Sequence, residues 1–263
     1  MLELYQFELS PYAEKVRLIL DYKGLSYRKI EVTPGVGQME VFRLSGQRKV
    51  PILKDGNTVI ADSTAIAKYL DRQYPERPII PTDAKRRGLC WLIEEWADES
   101  IAPKSQKVWF GAVSQNQNYR TSLLPNTTPD IIKNLVEAVP GDLLNLLGAG
   151  IGYGGDIIKA AQADLHQDLE ALNLILSDSP YLVADYPTLA DFAVAGLSLL
   201  LKFPADSYLN LPEALKGTGI PGIADNPAYE TFFTWRDRLY ADYRQPITST
   251  NLSGSSPTSI EID

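Results

Sequence analysis

The chain of 263 residues has one cysteine, Cys90, and one histidine, His166. A lone cysteine excludes an intrachain disulfide, a CxxC redox pair and any multi-cysteine zinc site. A lone histidine argues against a histidine-based metal centre and against a Ser-His-Asp triad. Positive charge is also scarce: 25 Lys and Arg stand against 33 Asp and Glu, a formal net charge of −8. Binding along nucleic-acid phosphates needs a surplus of Lys and Arg, so no nucleic-acid partner is expected, although a small anion can still sit in a locally basic cleft. No run reaches the roughly 18 apolar residues of a membrane span. The opening MLELYQFELSPYAEKVR lacks the apolar core and cleavage site of a signal peptide, so a cytoplasmic setting is expected.

What is present is globular. The hydrophobic fraction is 44%, and the length suffices for two domains, each with its own core. LELYQ at 2–6 reads as a strand. From Pro11 to Gly24 the spacing of Ala13, Val16, Ile19 and Leu20 predicts a helix, with Ser10 as N-cap, Pro11 at the first position and Gly24 as the stop. SYRKIEV at 26–32 predicts a second strand, followed by a Pro34-Gly35 turn and a short helix near 38–43. VPIL and TVIA flank Asp55-Gly56-Asn57, a hairpin signal, and a helix from Ser63 to about Tyr74 follows. After the prolines at 75, 78 and 81 the pattern becomes helical only. Residues 83–102 place Leu89, Ile93 and Trp96 on one face; 104–155 is polar, then glycine-rich; and Ile158, Ala161, Leu165, Leu169, Leu172 and Leu176 mark a long helix. Helices are also expected from Thr188, with Asp191 completing a capping box, and from about Pro227 to Tyr243. The tail, 247–263, lacks periodicity and is expected to be disordered.

Three features carry no chemistry. Gly150 to Gly155 matches GxGxxG but lacks the β-α-β unit a dinucleotide site needs. Cys90 lies among apolar residues as a core cysteine, and His166 lies at the edge of an apolar stripe.

SPYAEKVR, RKVPIL, ADSTAI and TLADF occur in the order found in glutathione transferases, and the chain resembles that superfamily over roughly residues 1–102 and 156–243. The first 55 residues also resemble the thioredoxin-like part of prostaglandin E synthase type 2. The resemblance implies an α/β thioredoxin-like glutathione-binding domain at 1–80. An all-α domain at 83–246 would follow, carrying an insertion at 104–155. It further implies glutathione as co-substrate, no metal, a homodimer, and a transferase acting on small hydrophobic electrophiles. The alternatives are a glutathione-dependent isomerase or peroxidase using the same thiolate, or a non-catalytic binding or scaffold protein.

The resemblance also assigns roles. Val50-Pro51 would be a cis bond turning the Val50 main chain toward the cysteinyl amide of glutathione. Asp62 and Ser63 would take its γ-glutamyl end, a carboxylate suiting the N–H groups and positive end of a helix. Lys49 could meet another glutathione carboxylate. Ser10 stands where related proteins carry cysteine, so it cannot form a mixed disulfide. As a thiol activator it has the right chemistry: a free thiol titrates near about 8.5, and a hydrogen bond to a charged acceptor contributes roughly 1.5–3 kcal/mol. That would lower a bound thiol by about one to two pH units, at about 1.4 kcal/mol each. Tyr5 and Tyr12 are rivals for the role, and Tyr12 could instead touch the second substrate, as could Trp109, Phe110, Tyr119 and Tyr153.

Overall fold

Alternation in Leu2, Leu4 and Gln6 against Glu3 and Tyr5 makes the first strand, β1 (Leu2–Gln6), two-faced, and burial alternates along it accordingly. In this computed structural model, residues 1–32, 37–116, 120, 137–141 and 152–247 are described. β1 lies between β2 (Tyr27–Glu31), which runs parallel to it, and β3 (Ile52–Asp55), which runs antiparallel. A tight turn with Gly56 at φ 57° joins β3 to β4 (Thr58–Ala61), completing the order β2-β1-β3-β4. The Pro34-Gly35 turn lies outside the described residues.

Helix α1 (Pro11–Tyr22) connects the parallel pair, α2 (Gln38–Ser45) precedes β3, and α3 (Ser63–Gln73) follows β4. Only helices follow: α4 (Ala84–Trp96), a π turn (Ala97–Ile101), α5 (Ala102–Gln115), α6 (Gly155–Leu176), α7 (Leu189–Leu197) and α8 (Glu230–Tyr243). This is an α/β thioredoxin-like layer joined to an all-α part. None of the described helices is long and apolar enough to cross a membrane. Helix α5 occupies the start of the expected insertion; most of its remainder, with Tyr119 and Gly150, lies outside the described residues, as does the tail after 247.

The long helix buries the six residues its spacing predicts, Ile158 to Leu176. In α4 the outcome is mixed: Ile93 and Trp96 pack half-buried against the core, but Leu89 stays 42% exposed, and the fully buried residues are Cys90 and Glu94. The reason is electrostatic: Glu94 faces inward because Lys15 of α1 meets it there.

Helix α1 is the hub. Pro11 and Ala13 to Asp21 are all buried, because the sheet covers one side and α7 packs along another. Its buried charges are therefore paired. Arg17 donates to Glu14, to Gln6 at 2.5 Å and to the Glu8 carbonyl at 2.8 Å. Arg244, just beyond α8, donates to Glu14 at 3.0 Å and to Asp21 at 2.5 Å.

Candidate functional site

Ser10 caps α1. Its extended backbone (φ −76°, ψ 115°) lets its hydroxyl accept from the Ala13 N–H at 3.2 Å, while its carbonyl accepts from the Glu14 N–H at 3.0 Å. Pro11 has no N–H, so the Tyr12 N–H is the open main-chain donor of this turn among the described residues. Because the Ser10 hydroxyl accepts from Ala13, it keeps its own proton to donate. A donor hydroxyl, an open amide and the positive end of a helix thus meet at one point, which suits an anion.

The two tyrosines are placed differently. Tyr5 packs from mid-strand with Val50 and Ala61 around Val41 and Ile52, on the α2 side of the sheet, and burial, with Glu3, raises its hydroxyl above the usual range. Tyr12 donates its hydroxyl to the main-chain carbonyl of Asp98 at 3.1 Å. Burial, then Asp98 and Glu99, push it up to about 12, with smaller contributions from Tyr153 and Asp62. Tyr12 therefore stays protonated at neutral pH and its donor is already engaged.

The second group lies along β3 and α3. The Val50–Pro51 bond is cis. Lys49, just before it, is exposed. Asp62 takes a left-handed conformation, φ 81°, and caps α3 by accepting from the Ala65 N–H at 2.9 Å. Ser63 follows it and is buried.

Beneath Ser63 lies a cluster that sequence reasoning missed. Lys15, fully buried on α1, donates to Glu94 at 2.5 Å, to Asp98 at 2.8 Å and to the Thr64 hydroxyl at 3.1 Å, with Ser63 Oγ at 3.4 Å. The single Thr64 hydroxyl proton lies between Glu94 and, at 3.0 Å, Asp98. Burial raises the Asp98 carboxyl above its usual range, and Lys15 works against that shift. The only local hint was a charged residue inside the apolar spacing of α1. Its partners lie 79 and 83 positions away, so no short-range pattern announces them.

The Phe110 ring of α5 packs on Tyr153 at 5.2 Å between centroids, and Tyr153 is near enough to Tyr12 to act on its hydroxyl. Trp109 lies with Leu9 against Leu199, Phe203 and Leu215, and its indole N–H is buried with no partner among the described residues. Of the expected site residues, the structure brings Tyr12, Tyr153 and Phe110 into one neighbourhood and ties the α1 helix to the Ser63 turn through Lys15. It turns Tyr5 toward α2, and Lys49 stands exposed beside the cis bond. Cys90 is buried, and burial pushes its thiol up to about 11, so it offers no alternative thiolate.

Comparison with known proteins bears on the fold. Residues 4–78 match the family described as glutathione S-transferase, N-terminal domain. Glutathione S-transferase 1 of Dianthus caryophyllus is 36% identical over 39% of this chain and 48% of its own length. A zeta-class glutathione S-transferase of Euphorbia esula is 35% identical over 39% of the chain and 47% of its own length. The chain thus spans about half the length of the curated relatives it matches. Whole folds compare more broadly. A glutathione S-transferase from Rhodospirillum rubrum superposes with a TM-score of 0.64 at 21% identity, covering 92% of this chain and 88% of that one. The β-etherase LigF of Sphingobium sp. strain SYK-6 gives 0.66 at 20% identity, covering 91% and 95%. Residues 4–78 thus belong to the glutathione S-transferase N-terminal domain family, and the chain as a whole has the two-part fold of glutathione transferases.

Proposed function

We propose that the chain is a glutathione transferase in which Ser10 stabilises the glutathione thiolate for attack on small hydrophobic electrophiles. The observation that carries this reading is the N-terminus of α1, where the Ser10 hydroxyl, with a proton to give, adjoins the open Tyr12 N–H.

In this reading the γ-glutamyl carboxylate lies at the N-terminus of α3, on the Ser63 hydroxyl and main-chain N–H, and Asp62 meets the α-amino group. The Val50 main chain takes the cysteinyl amide, and Lys49 reaches the outer carboxylate. The thiol loses its proton to solvent, and the Ser10 O–H donates to the sulfur. The sulfur then bonds to the electrophilic carbon, which expels its leaving group; in an addition, the neighbouring atom that receives the displaced electron pair takes up a proton from solvent. Positioning and preorganised donors do the work, with no covalent enzyme intermediate. The electrophile lies against Tyr12 and Phe110, with Tyr153 and Trp109 behind them. The same reading makes the chain a homodimer, and the exposed Leu89 and Leu92 of α4 are apolar surface open to a second copy.

The test is a glutathione titration followed by thiolate ultraviolet absorbance across pH, on wild type and Ser10→Ala. A thiolate signal near neutral pH that is lost in the variant supports the assignment. A signal that survives moves the activating role to the Tyr12 N–H or a tyrosine. Absence of glutathione binding removes the catalytic reading altogether.

A further inference from the structure

The π turn between α4 and α5 leaves one carbonyl without a backbone donor. In a regular α-helix the Asp98 carbonyl would accept from the Ala102 N–H, but that N–H goes back to Ala97. The donor one place further on would be Pro103, which has no N–H. The Asp98 carbonyl is thereby freed, and the Tyr12 hydroxyl fills it at 3.1 Å. The carboxylate of the same residue points the other way, into the buried Lys15–Thr64 pair beneath the N-terminus of α3.

We propose that Asp98 is a positioning residue that joins the two subsites, its carboxylate holding the Ser63–Thr64 turn and its carbonyl holding the Tyr12 ring, so that filling the glutathione subsite sets the wall of the electrophile pocket. This rests on the function proposed above. The connection is short and contiguous: Ser63 and Thr64 touch Lys15, Thr64 and Lys15 touch Asp98, and Asp98 touches Tyr12. Lys15 and Glu94 are almost fully buried, so this connection is not screened as a surface pair would be. Lys15 has three hydrogens for four neighbouring acceptors, and Ser63 at 3.4 Å is the most weakly held. A carboxylate arriving at Ser63 therefore acts on the least committed member of the cluster.

The Asp98 carbonyl is main chain and cannot be deleted, so the test alters its partners. Calorimetry on the full chain uses two probes, glutathione and S-hexylglutathione, whose alkyl chain reports the electrophile pocket. Tyr12→Phe keeps the ring and removes the O–H, and is expected to weaken S-hexylglutathione about five-fold while glutathione changes by less than about two-fold. Pro103→Ala supplies the missing N–H to compete for the carbonyl and is expected to give the same pattern. Thr64→Val is isosteric and is expected to weaken both probes, after which adding Tyr12→Phe changes S-hexylglutathione by less than about two-fold. Losses that simply add in the double variant overturn the inference, as does a Tyr12→Phe variant of unchanged melting temperature that weakens both probes equally. A folded wild type that binds neither probe overturns the proposed function and this inference together. A wild type that binds both but shows additive losses overturns the inference alone.

Discussion

Gly196 of α7 lies directly on the backbone of Lys15 in α1: a β-carbon there would come within 2.5 Å of the Lys15 nitrogen and 2.6 Å of its α-carbon. Both neighbours are main-chain atoms in a buried helix and cannot swing aside. Gly196→Ala is therefore expected to destabilise the protein by about 3 kcal/mol or more by forcing α7 off α1. Chemical denaturation measures this directly, and a loss below about 0.5 kcal/mol would show that the helices can separate freely.

The charges around Glu14 set an acid limit. Burial opposes ionisation of this carboxyl, but Arg17 and Arg244 outweigh it and hold it at about 2, below its ordinary 4.5. A depressed folded-state value means the stabilisation is fully present above pH 4.5 and is lost as pH falls toward 2. At neutral pH, Glu14→Gln is expected to be less stable than wild type by about 3 kcal/mol, since it leaves two guanidinium groups short of a counter-charge. That difference should narrow below pH 4.5. Denaturant midpoints for both proteins at several pH values decide it, and a constant difference would rule Glu14 out as the titrating group.

Replacing Ser10 separates structure from chemistry. Ser10→Ala removes the bond to the Ala13 N–H and is expected to lower stability by about 1 kcal/mol. It should also raise the titration of bound glutathione by about one to two pH units. Ser10→Asp retains a cap acceptor but places an anion beside the sulfur, so it should recover the stability and not the thiolate. Recovery of both would reassign the serine to a purely architectural role.

Cys90 should behave as an inert thiol. It is fully buried, and burial moves its titration up to about 11. Under native conditions a thiol reagent is expected to modify it no faster than the chain opens. Rapid native labelling would place it in an accessible pocket instead.

Much of the fold was legible because its signals are local. Ser10-Pro11 announced a capped helix, Asp55-Gly56-Asn57 a hairpin, and Thr188 with Asp191 a capping box whose two reciprocal bonds are both present. The six-residue stripe of α6 is one face of a single helix and needs no partner to be recognised. The site was less legible because its connections are long-range. Lys15 lies 79 and 83 positions from Glu94 and Asp98, and nothing local marks Glu94 as a buried residue of α4. The significance of Pro103 depends on a π turn that no hydrophobic period reveals.

Arg244 carries a consequence for how the chain is made. Glu14 emerges from the ribosome early, whereas the guanidinium that completes its pairing lies 230 positions later. Domains usually fold as units with the N-terminal one first. Until the end of α8 has been synthesised and docked, Asp21 lacks its guanidinium partner and Glu14 has only Arg17. The α/β layer can collapse during translation, but its final packing waits for Arg244, and a nascent chain stalled before that residue should remain a substrate for chaperones.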